Sequence, residues 1–189
     1  MLKLMDIYIR APPKVRHFMW RAARDSLPSK QNLARRKIAL DETSSLCDEQ
    51  QESIMHVLRV CDQAKAVWKS IPSFSRLYQT GYRSFFDLLE AVLDHGSAFT
   101  VALVSTIAWS LWQRRNKIRV QQTSWPLHEI SRRAKELVVE FFDIHKQPPR
   151  PAVQRPQVHW TKPPRDFYKA NFDAVLKKTS GMFERENYS

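Results

Sequence analysis

The chain has 189 residues, of which 43% are hydrophobic, and it carries a formal net charge of +12 with a pI of about 10.0. This hydrophobic content supports a modest core and excludes a wholly disordered chain. The three glycines argue against a β-barrel or sandwich, which would need many tight turns. The charge favours an acidic partner, most simply nucleic acid, over a surface that is basic only for solubility.

Neither a signal peptide nor a membrane span is expected. Residues 1–10 lack a sustained apolar core and a small-residue cleavage site. The most apolar window, residues 98–112, is 15 residues long, short of the roughly 18 that a membrane span needs. The two cysteines, Cys47 and Cys61, share their pattern with a histidine and suit a reducing compartment. We therefore predict an intracellular protein, with the nucleus as one option.

The first predicted element is a helix opened by Pro12 and Pro13, because proline in a first helical turn loses little hydrogen bonding. Residues at helical spacing form its apolar stripe: Val15, Phe18, Met19, Ala22 and Ala23. Ser29 is the predicted cap of a second, short helix that turns Leu33 towards the core.

The next segment, residues 47–68, contains the candidate metal ligands Cys47, His56 and Cys61. Thiolate and imidazole are preferred zinc ligands, because both suit the ion in a tetrahedral shell. A closed structural site needs four ligands, and this pattern supplies three. Water, Asp41 or Asp48 could provide the fourth, which would give weak and exchangeable binding.

Three further helices follow along the chain. Residues 83–94 form an amphipathic helix with Phe86, Leu89 and Leu93 inside, and residues 97–120 form a long helix that becomes basic after Trp112. Another helix starts at Trp125. Its predicted buried face comprises Ile130, Ala134, Leu137, Val138 and Phe141. The tryptophans of this region, Trp109, Trp112 and Trp125, could stack on bases, although a core role is favoured.

The composition changes after residue 146. Residues 147–165 hold six of the eleven prolines, which indicates an extended linker. Residues 168–176 alternate like a β-strand, but an isolated strand cannot satisfy its own backbone hydrogen bonds. The predicted fold is therefore mainly α, a small helical domain with further packed helices, followed by a proline-rich linker and a fragment of a β-strand region.

Three stretches, in order, resemble one family. They read PPKVRHFMWRAARDSLPSKQNLARR, ESIMHVLRVCDQAKAVW and IAWSLWQRRNK. The first two resemble the zinc-binding domain that follows reverse transcriptase in plant non-LTR (LINE-type) retrotransposons. The third resembles a downstream helix of those polyproteins with a Trp-x-x-Trp and Arg-Asn signature. A fourth stretch, HWTKPPRDFYKANFDA, is similar to the linker and first strand of a type 1 ribonuclease H domain.

The resemblance implies a division of the chain. It implies a zinc-binding-like domain at 1–70, a helical extension at 71–146, the linker at 147–165 and a truncated ribonuclease H-like start at 166–189. It also implies a Cys-x-x-Cys, His, Cys ligand pattern, whose first cysteine is replaced here by Ser44. Since a serine hydroxyl is a harder ligand that does not ionise readily, we expect weak zinc binding through Cys47, His56 and Cys61.

Catalysis is not expected. The resemblance aligns Asp173 with the first ribonuclease H carboxylate, but that chemistry needs several carboxylates around two magnesium ions, and the later ones have no counterpart in this sequence. The expected function is that of a non-catalytic remnant of a retrotransposon polyprotein that binds RNA or DNA non-specifically, without a membrane or small-molecule partner. Its candidate contacts, chosen for their clustering, are Lys14, Arg16, Arg35, Arg36, Lys37, Arg114 and Arg115.

Three alternatives stay open at this level. One is a ribonuclease H-type enzyme that acts on RNA–DNA hybrids. Another is a protein-interaction scaffold that uses the helical face of residues 83–146, and the last is a pseudogene product without a role.

Overall fold

A computed structural model describes residues 9–38, 41–48, 50–74 and 81–146. Within these ranges the chain is mainly helical, and its β-structure is limited to one antiparallel bridge between Thr43 and Gln51, so the predicted mainly α class is confirmed. These residues all belong to one compact unit, Met1–Pro148. The predicted linker at 147–165 and the ribonuclease H-like start at 166–189, with Asp173, lie outside the described residues.

The first two helices follow the sequence signals closely. Helix α1 (Pro13–Ala23) has proline in its first turn and buries the stripe Val15, Phe18, Met19 and Ala22. Helix α2 (Lys30–Arg35) begins after Ser29, whose hydroxyl accepts the Asn32 amide at 3.2 Å. The predicted inward residue of α2 is wrong, however. Asn32 is buried instead of Leu33, because its side-chain amide donates to the carbonyl oxygens of Asp25 and Leu27, at 2.7 and 3.0 Å.

A short hairpin, residues 41–52, follows α2. The Ser44 amide donates to the Gln50 carbonyl at 2.8 Å, and the Glu52 amide donates to the Glu42 carbonyl at 2.7 Å. The chain then forms a π-helical turn (His56–Val60), helix α3 (Asp62–Lys69) and a 3-10 turn (Pro72–Phe74). Helix α3 packs against the π-turn, and Cys47 and Gln50 of the hairpin lie close to His56 of the same turn.

Helix α4 (Phe85–His95) starts with a capping box, in which Ser84 and Asp87 exchange side-chain-to-backbone hydrogen bonds. Its buried face differs from the predicted one by a register of about one residue. The buried side chains are Phe85, Leu88, Leu89 and Val92, whereas Phe86 and Leu93 are only partly buried. The reason is that α4 packs against both α1 and the following helix, and these two neighbours rotate the covered face.

Helix α5 (Ala98–Arg119) is the centre of the unit, and its bounds agree with the predicted helix over 97–120. Residues 101–108 are buried on every side of the helix, because α5 contacts α1, α4, the π-turn and helix α6 (Ile130–Ile144). Helix α6 follows a 3-10 turn (Leu127–Glu129). It buries Ile130, Ala134 and Val138, but Leu137 is 36% exposed, so the predicted face is wider than the observed one.

One hydrophobic core joins these elements. It runs from Ile9 and α1 through the π-turn and α3 to Val138 of α6. The predicted boundary at 70/71 therefore does not separate two cores. None of the described helices is long and apolar enough to cross a membrane.

Candidate metal centre and basic surface

The three predicted metal ligands come together in the structure. The ligand atoms of Cys47, His56 and Cys61 all lie within 4.8 Å of one another, and Cys47 Sγ is 3.4 Å from His56 Nε2. Tetrahedral zinc with its usual bond lengths holds sulfur and nitrogen ligands roughly 3.5 to 3.8 Å apart. His56 and Cys61 are buried, and Cys47 is partly buried. The cluster can therefore hold a metal ion.

Two local contacts orient His56. Its backbone amide donates to Ser53 Oγ at 3.0 Å, which fixes the start of the π-turn. Its Nδ1 lies 3.2 Å from Gln50 Oε1. A proton on Nδ1 satisfies this glutamine and leaves the Nε2 lone pair directed at the cysteine side of the cluster, as a metal ligand requires. Gln50 is thus a positioning residue that the sequence pattern did not reveal.

Burial sets the protonation of two ligands. It lowers the pKa of His56, which keeps the imidazole neutral and able to coordinate. Burial also raises the pKa of the Cys61 thiol. Metal binding at Cys61 must therefore displace a proton, so affinity depends on pH.

Ser44 occupies the hairpin turn that also carries Cys47. It is fully buried, its carbonyl accepts the Asp48 amide at 2.8 Å, and its hydroxyl oxygen accepts the Leu46 amide at 3.2 Å. These hydrogen bonds hold Ser44 in the turn. Its hydroxyl is a poor zinc ligand.

The two carboxylates suggested as substitutes for the missing ligand do not join the cluster. Asp41 instead accepts from Lys30 Nζ and from the Thr43 amide, both at 2.8 Å. The hydrogen bond from Lys30 lowers the Asp41 pKa to about 2. Asp48 is exposed on the turn. Among the described residues, the site therefore consists of two thiols and one imidazole.

A buried ion pair ties the hairpin to α5. Arg115 and Glu52 are 1% and 0% exposed, and Arg115 Nε donates to Glu52 Oε2 at 3.1 Å while Nη2 contacts Oε1. Glu52 Oε1 also accepts the Lys30 amide at 2.9 Å, and Arg115 Nη1 donates to Asn116 Oδ1 at 2.9 Å. The Arg-Asn pair of the resemblance thus has a structural role, because Arg115 links the end of the hairpin, at Glu52, to the central helix.

This pair corrects one predicted nucleic-acid contact. Arg115 is enclosed and bonded, so its guanidinium is not available to a phosphate. The burial of Arg115 is indicated by helical periodicity, but not by the clustering of basic residues in the sequence. Arg115 follows Leu111 by four residues and Ala108 by seven, which places it on the apolar side of α5.

The other predicted basic contacts fall into two groups. Arg35, Arg36 and Lys37 are exposed at the end of α2, where Arg35 pairs with Asp25 at 3.0 Å. Lys14 and Arg114 each lie near Trp109: Lys14 Nζ is 4.8 Å from the Trp109 ring centroid, and Arg114 lines the same cavity as that ring. Arg16 is partly buried on α1.

Comparisons with known proteins agree with the site. Residues 7–68 match the family model described as zinc-binding in reverse transcriptase. Over 183 residues the chain is 22% identical to a putative ribonuclease H protein of Arabidopsis thaliana, an alignment that covers 92% of this chain and 29% of the relative. No solved structure gives a significant match. Because the matched segment contains all three predicted ligands, the resemblance to the reverse transcriptase zinc-binding domain of retrotransposon polyproteins is confirmed over residues 7–68.

Proposed function

We propose that this chain is a non-catalytic, basic module of a retrotransposon-type polyprotein that binds RNA or DNA without sequence specificity and binds zinc weakly. The observation that supports nucleic-acid binding best is the cationic end of α2, inside the segment that matches the zinc-binding family. Arg36 and Lys37 are exposed there and have no carboxylate within ion-pair distance among the described residues. Such cations bind phosphates and release counterions.

Salt dependence tests this binding. Affinity for a labelled single-stranded oligonucleotide is expected to fall steeply between low and physiological salt, with a log–log slope of about −0.7 for each phosphate contacted. The double variant Arg36→Gln/Lys37→Gln should weaken binding for all sequences alike and reduce the slope by between one and two. Lys135→Gln, which removes one exposed charge from α6, is the control. Affinity that is flat with salt would contradict the mechanism.

Weak zinc binding is supported by the geometry of the three ligands and by the serine at the fourth family position. A site of two thiolates and one imidazole leaves one coordination position for water, and an open position makes the ion exchangeable. The role of such an ion would be to hold the hairpin against the π-turn rather than to catalyse a reaction.

A second candidate function is a ribonuclease H activity, which is favoured by the similarity to a putative ribonuclease H protein of Arabidopsis. The test is cleavage of a labelled RNA–DNA hybrid with magnesium by the wild type and by Asp173→Asn. We expect no cleavage by either protein. Cleavage by the wild type that is lost in Asp173→Asn would replace our proposal with this one, whereas cleavage equal in both would indicate a contaminating nuclease.

A further inference from the structure

A cavity of about 130 Å³ lies along the second half of α5, away from the metal ligands. Its walls combine two indole rings with cations and amide or hydroxyl groups, namely Trp109, Trp125, Arg114, Lys117, Gln113 and Ser124. This volume is close to the ~150 Å³ of an engineered cavity that binds benzene, so the cavity is on the scale of one planar ring.

Arg114 is the cation in the cavity wall whose hydrogen bonding is incomplete. Its Nε is buried without a hydrogen-bond acceptor, and its Nη1 makes one long hydrogen bond, 3.3 Å, to Ser124 Oγ. No carboxylate lies within ion-pair distance of Arg114 or Lys117 among the described residues. Burial accordingly lowers the pKa of Arg114. A partly desolvated guanidinium without a paired carboxylate is stabilised by an anionic ligand.

The two tryptophans make the cavity suitable for more than a simple anion. Trp125 is 37% exposed, so part of its indole is accessible to a ligand. The Arg133 guanidinium lies 4.9 Å from the Trp125 ring centroid, and Lys14 Nζ lies 4.8 Å from that of Trp109, so each ring is held by a cation. Phosphate alone would satisfy Arg114 but leave the indoles unused, whereas a nucleotide would engage both.

We propose that this cavity binds one nucleotide of a single strand, with its base against Trp125 and Trp109 and its phosphate on Arg114 and Lys117. The inference rests on the proposed nucleic-acid binding and deepens it by naming unpaired strands as the preferred form. Base–aromatic stacking tolerates any base, which agrees with binding that is not sequence-specific. Only unpaired bases can enter, because bases in a duplex are stacked on each other.

The experiment compares a short oligothymidylate with an abasic oligonucleotide of the same length, both labelled, against the full chain by fluorescence anisotropy. Both carry the same phosphates, so the difference reports the base alone. We expect the wild type to bind the oligothymidylate about tenfold more tightly. Trp125→Ala should remove that difference and leave the abasic affinity unchanged, while Trp125→Phe should retain most of it. Arg114→Gln should weaken binding of both oligonucleotides. Lys135→Gln is the control and should leave the difference in affinity between the two oligonucleotides unchanged.

The outcomes separate the two proposals. Equal affinity of the wild type for both oligonucleotides, with salt dependence intact, would contradict the nucleotide site in the cavity. It would leave the proposed non-specific nucleic-acid binding unaffected. The same holds if Trp125→Ala, with its helical circular dichroism preserved, retains the preference for bases. Absence of salt-dependent binding to either oligonucleotide would overturn both proposals. The wild-type comparison needs no variant to fold.

Discussion

At position 44 the hairpin carries a buried serine whose hydroxyl accepts the Leu46 amide, in the same turn as Cys47. We expect Ser44→Cys to raise zinc affinity by at least about tenfold, because a fourth thiolate closes the tetrahedral shell. A competition titration against a chromophoric chelator measures the change. Ser45→Cys adds a thiol at the exposed neighbouring position and serves as the control. Equal affinities in all three proteins would contradict the assignment of Ser44.

The buried pair of Glu52 and Arg115 is a second place where a single substitution is expected to change the stability of the fold. Glu52→Gln would leave the enclosed guanidinium without an anion, and we expect unfolding free energy to fall by about 3–5 kcal/mol. Chemical denaturation measures this. Glu136→Gln, which breaks an exposed pair with Arg132 on α6, should cost less than about 1 kcal/mol. Similar losses in both variants would show that the buried pair is not a structural link.

At the scale of elements, the junction of α4 and α5 depends on Gly96. A Cβ there would lie 2.5 Å from the Val92 carbonyl oxygen and 3.3 Å from Val101 Cγ2. We therefore expect Gly96→Ala to destabilise the fold by about 1–3 kcal/mol, because the added Cβ would collide with a carbonyl in the last turn of α4 and the end of that helix would have to shift. Gly81→Ala is the control, since a Cβ at Gly81 meets nothing within 4 Å. Thermal melts compare them, and equal melting temperatures would contradict the close approach.

Helix bounds and helix faces were not equally predictable at this scale. Ser29 and Ser97 cap α2 and α5 as local signals indicate, because a cap is formed by residues within one turn of the chain. The inward faces were less accurate. In α2 the buried residue is Asn32 and not the predicted Leu33, and in α4 Phe85 is buried and not the predicted Phe86. The buried face of a helix depends on which other elements pack against it.

For the whole molecule, the shared core predicts how the fold responds to metal removal. Small zinc fingers unfold without their ion, but here the core extends from Ile9 to Val138 and does not depend on the hairpin alone. We expect a chelator added to zinc-loaded protein to lower the melting temperature by a few degrees and to leave the helical circular dichroism unchanged. His56→Ala should abolish the chelator's effect. Loss of helical signal on chelation would contradict a fold that is independent of zinc.

The sequence by itself determined the mainly α class, the bounds of α5, the family resemblance and the three candidate metal ligands, since each depends on spacing, composition or motif within a short stretch. Tertiary structure alone decided which charges are available. Arg114 and Arg115 are neighbours in sequence, yet one lines a cavity without a counter-ion and the other is enclosed by Glu52, 63 residues away along the chain. The physical reason is that desolvation and pairing depend on neighbours brought close by folding, and clustering in sequence does not record them.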